Sequence, residues 1–345
     1  MSLPPPARRV FRLSLTIALS LAAAYALAIP LPYIAPIFAL MLALPPKPPL
    51  GLKPTIAVSI LICITAGSGL LLTPVLIHYP VTGLMIVFLG LIVANLLTVN
   101  MAKGAIGALL TMGLTLVTAA GTMSYQIAQL VIVALLLSIS IAIASHHIAF
   151  FFFPEDPAPA AAKKKAARKT DDQSNWIALR ATFVVFPAYL IALTNPSQLL
   201  PIIMKSVSLG QQDSVSSARE ASRELLGSTF LAGVFAALFW LLLSINPNLW
   251  MFFLWMLAFG FFFACKLYGI TKSRFRAPFW INTVITMFIL IGPAVQDSAS
   301  GKDVKTAFLV RFSLFIAVTL YAITAISAFE YLKNRRAHAQ NREER

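Results

Sequence analysis

The feature that most constrains this chain is a series of long apolar runs that leave little room for charged residues. A run of about 18 or more apolar residues can cross the hydrocarbon core of a bilayer as a helix. Of the 345 residues, 59% are hydrophobic and only 11% are charged, whereas a soluble domain carries about 25% charged residues. Because the runs lack the period-2 alternation of a transmembrane β-barrel, we predict an all-α polytopic membrane protein.

Twelve apolar segments predict about twelve transmembrane helices, six in each half of the chain. The first half contains segments 10–29, 31–44, 55–77, 81–99, 105–120 and 125–153. The second half contains segments 176–194, 198–209, 225–245, 249–268, 278–294 and 306–332. The second segment of each half is shorter than the roughly 20 residues that a spanning helix needs. Whether these two segments cross the membrane fully is left open.

Three local matches, in the same order in both halves, indicate an internal repeat. ALAIPLPYIAPIF matches ALTNPSQLLPIIM, FLGLIVANLL matches AFGFFFACKL, and LLTMGLTL matches VITMFILI. Six spans per repeat give both repeats the same orientation, a plan known from transporters. We therefore divide the chain into a first six-helix membrane repeat (1–154), a basic linker (155–175), a second six-helix membrane repeat (176–332) and a basic tail (333–345).

The net charge of +15 lies mainly in the short breaks between the apolar segments, in the linker and in the tail. Lys and Arg in such positions mark cytoplasmic loops, so we expect both termini in the cytoplasm and no nucleic-acid partner. The linker is rich in Pro, Ala and Lys, a composition typical of a flexible and exposed connection.

No motif of a soluble enzyme is present in the sequence. It contains no GxxxxGK[ST] phosphate-binding loop, no HExxH and no Cys/His spacing suited to a metal ion. No Ser-His-Asp set is recognisable and carboxylates are almost absent from the spans, which disfavours a lipid-processing enzyme. Cys63 and Cys265 lie inside apolar runs and are interpreted as small core residues. We expect no catalytic activity, no metal and no cofactor.

Positive charges inside the spans are the most informative residues for function. Arg180, Lys205 and Arg311 lie within predicted membrane segments, where a charge is costly and marks a candidate functional site. Arg180 and Arg311 could instead extend their side chains to the nearest interface. Lys205 is the strongest candidate, because the matching residue of the first half is Ala39. Few acids are available to neutralise these charges, which favours an anionic substrate.

A second set of candidates lies at the cytoplasmic start of the third span of each half. Arg219 and Arg223 are one helical turn apart in the second half, and Lys53 aligns with Arg223 in the first half. These cations would attract an anion to the mouth of a path. Inside-positive anchoring of an amphipathic helix, with exposed ion pairs of little value, is the alternative.

Two polar seams along predicted helices could line the same path. Thr111 shares a helical face with Thr115 and Thr118, and Asn282 shares a face with Thr286. Hydrogen bonding between helices is the alternative interpretation of both seams.

Three segments together resemble the fusaric acid resistance/aromatic acid exporter (FUSC-like) family: RELLGSTFLAG after a polar helix, the short proline-bent second span, and APFWINTVITMFILIGPA before the final helix. The resemblance is best in the second half, where Arg223 and Gly227 match the family's arginine followed by a small-residue turn. Lys53 and Ala57 hold those positions in the first half. Larger family members carry a sizeable cytoplasmic domain between the halves, so this chain is similar to the short form without it.

The resemblance implies an exporter of carboxylate-bearing, often aromatic, compounds in the bacterial inner membrane. It also implies two partners of a tripartite efflux system, a periplasmic membrane-fusion adaptor and an outer-membrane channel. Whether the chain forms a homo-oligomer is left open.

We therefore predict a transporter that exports organic anions along a path between the two repeats. Arg219 and Arg223 would attract the anion, Lys205 and Arg180 would hold it, and Arg311 would favour its release. An inside-negative potential favours anion exit by about 2.3 kcal/mol per charge per 100 mV.

Two alternatives remain beside this prediction. Proton antiport through His146 and His147, near the cytoplasmic end of the sixth span, is the alternative mode of coupling. A non-transporting membrane scaffold of a cell-envelope complex is the alternative function.

Overall fold

The chain, in a computed structural model that describes residues 4–100, 104–155, 171–210, 218–299, 301 and 303–343, is built from helices, and no strand occurs in these ranges. The first half contains α1 (Pro5–Ala26), α2 (Ile34–Ala43), α3 (Leu52–His78), α4 (Pro80–Asn100), α5 (Gly104–Met112), a π-helical segment (Gly113–Val117), α6 (Thr118–Met123) and α7 (Tyr125–Phe152). The second half contains α8 (Asp171–Thr194), α9 (Pro196–Gly210), α10 (Ala218–Ile245), α11 (Leu249–Leu267), α12 (Ala277–Ala299) and α13 (Val304–Glu343). The prediction of an all-α protein is confirmed.

Ten helical stretches among the described residues are long and apolar enough to cross a membrane. They correspond to the predicted segments, except for the second segment of each half. There α2 has 10 residues and spans only about 15 Å, whereas the hydrocarbon core is about 30 Å thick. α9 has 15 residues and reaches about 22 Å by the same measure. The chain is a multi-pass membrane protein by the length and composition of its helices, with ten candidate spans in place of about twelve.

The predicted linker and tail have different outcomes. Residues 156–170 of the linker lie outside the described residues, while α8 begins at Asp171, within the predicted linker. α13 continues to Glu343. The predicted tail is therefore, as far as that residue, an extension of the last helix.

The bundle has two ends that differ in the residues that meet there. At one of them, which we call the basic end, the start of α1 lies near the ends of α2, α7 and α11. Tyr268, just after α11, donates a hydrogen bond from its hydroxyl to the carbonyl of Leu44, 2.9 Å away. Arg12 of α1 pairs with Glu155, just after α7. At the other, which we call the opposite end, the turns α1–α2, α8–α9 and α12–α13 surround one cavity.

The turn between α1 and α2 contains backbone strain that no pattern in the sequence predicts. Ala28 has φ 49° and Leu31 has φ 59°, in the left-handed region that residues with a side chain rarely adopt. Pro30 lies between them, and its ring fixes its own φ near −65°. The chain therefore turns at the predicted proline bend, and Ala28 and Leu31 complete the reversal at a cost in strain.

The two halves pack against each other through corresponding helices. α1, the first helix of the first half, packs most extensively on α11, the fourth helix of the second half, and α8 packs on α4 as well as on its neighbour α9. Two tyrosines add hydrogen bonds across the halves. The hydroxyl of Tyr25 donates to the carbonyl of Gly292, 3.1 Å away, and the hydroxyls of Tyr189 and Thr118 share a hydrogen bond of 2.9 Å.

α3 and the π-helical segment approach each other closely at two glycines. A Cβ on Gly69 would meet the carbonyl group of Gly113, 2.8 Å from its carbon. A Cβ on Gly113 would lie 2.6 Å from the carbonyl carbon of Thr65. Small residues allow this backbone approach between membrane helices. The contact also holds the π-helical segment, which replaces regular α-helix in the fifth predicted span.

We predict that Gly69→Ala destabilises the fold by about 1–3 kcal/mol, because the added methyl group overlaps the Gly113 carbonyl. Gly67→Ala in the same helix is the matched control, since a Cβ at Gly67 meets nothing within 4 Å. That control should be neutral or slightly stabilising, because Ala favours a helix over Gly by up to about 1 kcal/mol. Thermal unfolding of both variants in detergent measures the difference. Equal midpoints would contradict the close approach.

Candidate functional site

The strongest sequence candidate, Lys205, is fully buried in α9. Its Nζ donates a hydrogen bond to Oγ1 of Thr286, 2.7 Å away, and another to Oδ1 of Asn282, 3.3 Å away. Both acceptors lie on α12, one helical turn apart, so they present one face to α9. Three of the predicted site residues therefore meet in one place. For the seam Asn282–Thr286, the role that the structure shows is hydrogen bonding between helices.

The polar cluster continues to a third helix. Nδ2 of Asn282 donates to Oγ of Ser228 on α10, 2.6 Å away, and Ser228 in turn donates to the carbonyl of Leu225, 3.0 Å away. Ser228 is fully buried. Ser228 was not among the site residues predicted from the sequence, although it lies in the RELLGSTFLAG segment that carries the resemblance. We call Lys205, Ser228, Asn282 and Thr286 the Lys205 cluster.

The Lys205 cluster surrounds the buried amino group of a lysine with neutral groups alone. In the part of the chain that the structure describes, Lys205 forms no ion pair with a carboxylate. Moving an ammonium group out of water costs several kcal/mol unless an opposite charge compensates it. Two neutral acceptors fix the position of Nζ but supply no counter-charge. The arrangement therefore suits an anion that brings its own charge to this point.

A cavity of about 560 Å³ lies at the opposite end of the bundle. Its lining includes Leu200 and Pro201 of α9 together with residues of the α1–α2 turn, α12 and α13. Lys205 is four residues beyond Pro201, which is about 6 Å along the helix axis. Pro201 is the α9 residue of this lining that lies nearest Lys205 in the chain, and no member of the Lys205 cluster lines the cavity. Its volume is within the range of about 300–1,000 Å³ typical of small-molecule sites.

Arg311 lines this cavity, but it is not a free cation. Its Nη1 pairs with Oδ2 of Asp297 at 2.5 Å. Asp303 lines the same cavity, and hydrogen bonds from the side chain and backbone of Thr306 hold the pKa of Asp303 below its ordinary value. Two carboxylates therefore line the cavity together with Arg311, and one of them, Asp297, pairs with it. The predicted role of Arg311 in favouring release of the anion stays a prediction, and the guanidinium that would play it is paired with Asp297.

The other predicted site residues are more dispersed. Lys53 and Arg223 are exposed at the starts of α3 and α10, and Arg180 is half-buried in α8. Thr111 is buried, and its hydroxyl donates to the carbonyl of Gly107 in its own helix, 2.9 Å away. The side chain of Arg219 lies outside the described residues. The hydrogen bonds of Lys205, Asn282 and Thr286 among the described residues do not involve Lys53, Thr111 or Arg223.

The predicted path between the two halves is narrow in this conformation. A cavity of only about 40 Å³ lies between α2, α5, α9 and α12. Met41, Met112 and Met204 are among the residues that line it, and Lys205 is not. A cavity of this size holds about one water molecule, so an organic anion cannot pass here without rearrangement. The long, unbranched methionine side chains are suited to such repacking.

Arg12, the most completely buried arginine among the described residues, was not predicted from the sequence. Arg12 of α1 has no exposed surface and pairs with Glu155. The available signal was its spacing, because Arg12 follows Arg8 and Arg9 by four and three residues and so shares their helical face.

Comparison with known proteins gives a family without an assigned activity. Residues 9–149, from α1 to α7, match a family described as "Protein of unknown function (DUF2955)". No curated protein matches the chain. No solved structure matches it. The resemblance to the FUSC-like family therefore stays a prediction.

We predict that Lys205→Met raises the free energy of unfolding by about 1 kcal/mol. Replacing a buried ion by an apolar side chain of similar volume removes its desolvation cost. Thermal unfolding of the purified protein in detergent measures the effect, and Lys305→Met, at an exposed lysine, is the control. A midpoint below that of the unchanged protein would show that the hydrogen bonds of Lys205 outweigh its burial cost.

Proposed function

We propose that this protein is a membrane transporter for small organic anions. The observation that carries the proposal is Lys205, a fully buried cation in the helical bundle whose partners are the neutral side chains of Asn282 and Thr286. A charge inside a membrane protein is rare and marks a substrate or ion pathway by default. A carboxylate substrate would supply the missing counter-charge, and Asn282 and Thr286 would hold Nζ in position for it.

The architecture supports a transport cycle. The cavity at the opposite end stops about one turn of α9 short of Lys205, while the 40 Å³ space between the halves is too small for an organic anion. The reciprocal packing of α1 on α11 and of α8 on α4 is what two parallel six-helix repeats would produce. In this proposal α2 and α9, too short to cross the core alone, are the central elements of each repeat and separate the two sides.

The remaining predicted residues take peripheral roles in the proposal. Arg223 and Lys53, exposed near the starts of α10 and α3, would raise the local anion concentration at the basic end. Arg180, half-buried in α8, would act between the mouth and Lys205. Because Asp297 neutralises Arg311, this arginine would bind an anion only weakly near the exit, which favours release.

The cellular setting in this proposal follows the resemblance stated above. The protein would lie in the bacterial inner membrane with its basic end in the cytoplasm, as its Lys and Arg distribution indicates. It would export aromatic carboxylates with a periplasmic adaptor and an outer-membrane channel. An inside-negative potential would then drive a monovalent anion outward by about 2.3 kcal/mol per 100 mV without a coupling ion.

Transport of benzoate by the purified protein in liposomes tests the proposal. We expect benzoate flux that accelerates when an imposed potassium diffusion potential is negative on the benzoate side. Lys205→Met should slow this flux by about tenfold or more, because it removes a charge-assisted contact with the carboxylate. Lys305→Met is again the matched control and should retain the flux.

Three outcomes of this experiment discriminate between the alternatives. Unchanged flux in Lys205→Met would contradict the role of the buried cation. Flux that follows an imposed pH gradient and ignores the potential would replace electrophoretic export with proton antiport. No flux of any aromatic carboxylate from a correctly folded protein would favour the scaffold function.

A further inference from the structure

A second buried cation lies at the basic end, outside the Lys205 cluster. Arg12 has no exposed surface, although it is in the second turn of α1. One nitrogen of its guanidinium, Nη1, is 2.7 Å from Oε2 of Glu155. Arg9 also pairs with this carboxylate, and its Nε donates to Oε1 at 2.6 Å. Two arginines one turn apart thus converge on one carboxylate.

Arg12 has more donors than Glu155 uses. Its Nε and Nη2 are buried and have no hydrogen-bond partner among the described residues. The same is true of Nε2 of His146, a buried residue of α7. Each unsatisfied buried donor costs about 1–3 kcal/mol and calls for an explanation. A guanidinium can bind a carboxylate through two parallel N–H groups, so Arg12 is equipped for a fuller contact than Glu155 makes.

Glu155 occupies this place as part of a connection between the halves. It follows the end of α7 by three residues, and the chain then continues into the connection to α8. Burial acts to raise the pKa of Glu155, but its pairs with Arg9 and Arg12 outweigh that effect and hold the pKa below its ordinary value. Its carboxylate is therefore ionised at neutral pH, like that of an organic acid.

Phenylalanine residues lie close to Arg12. The guanidinium carbon of Arg12 lies 5.5 Å from the centroid of the Phe150 ring. Phe153 stacks with Phe11 at 5.4 Å between ring centroids, and Arg12 Nη1 lies 3.5 Å from the Phe153 carbonyl oxygen. Arginine beside phenyl rings is a surface that accommodates a planar anion with an apolar ring.

We propose that Arg9 and Arg12 form a binding site for aromatic monocarboxylates at the basic end, and that Glu155 is its internal occupant. The inference deepens the proposed function and rests on it for the substrate class. An arriving carboxylate displaces Glu155, takes over its pairs with the two arginines and engages the unused donors of Arg12. The release of Glu155 also frees the start of the α7–α8 connection from α1.

Chemical rescue of Glu155→Ala tests this site. The substitution removes the internal carboxylate and its arm, and it should lower the thermal unfolding midpoint because Arg12 loses its counter-charge. Sodium benzoate should then raise the midpoint of Glu155→Ala by about 3 °C at tens of millimolar concentration. Benzamide, the neutral isostere, should not. The unchanged protein should respond less, because Glu155 competes.

Further variants keep the test specific. Adding Arg12→Gln to Glu155→Ala should abolish the benzoate response, which separates this site from Lys205. Glu155→Gln, whose amide still fills the place, should respond less than Glu155→Ala. An equal benzoate response with and without Arg12 would overturn the proposal, as would no response beyond that to benzamide, which would make Glu155 a structural ion-pair partner only.

The transport assay separates the failure of this site from failure of the proposed function. Benzoate flux in the unchanged protein without rescue of Glu155→Ala would overturn the site and leave transport in place. Rescue that depends on Arg12, in a protein that carries no flux, would support a carboxylate site and contradict the transporter.

Discussion

The burial of one lysine amino group among neutral hydrogen-bond acceptors is the physical feature that underlies the proposed function. Lys205 is buried between α9 and α12, and its partners Asn282 and Thr286 orient Nζ without compensating its charge. Such a group is costly in a low-dielectric interior. Its retention is understandable if the compensating charge arrives with a ligand, which is the physical basis of the anion proposal.

Two buried or half-buried arginines near the ends of the bundle, unlike this lysine, pair with carboxylates. Arg311 pairs with Asp297 at the opposite end, and Arg12 pairs with Glu155 at the basic end. Each of these two acids lies at the end of a helix or just beyond it, where water and chain turns are available. Lys205 thus has neutral partners, whereas Arg12 and Arg311 have carboxylate partners. In the proposed function, an anionic substrate would have to displace or pass these carboxylates.

The two halves share a packing pattern but not a chemistry. α1 and α8 each contact the fourth helix of the other half. The Lys205 cluster belongs to the second half alone, since Ala39 matches Lys205 in the aligned motifs. The Arg12–Glu155 pair lies in the first half. If both sites act on one substrate, each half contributes a different step.

The long apolar runs were enough to predict a helical membrane fold, because backbone polar groups in lipid must be hydrogen-bonded within each helix. The same runs indicate where those helices lie in the chain. The sequence also identified Lys205 as the strongest candidate site residue, because it is a charged residue in an apolar segment. The spacing of Asn282 and Thr286 predicted that both lie on one helical face. The folded structure was needed to show that these residues meet, that Asp297 neutralises Arg311, and that Arg12 is fully buried. It also decided the strained turn at Ala28 and Leu31 and the π-helical segment. These features depend on contacts between residues far apart in the chain, and a local pattern of hydrophobicity carries no information about which distant partner an exposed or buried side chain will find.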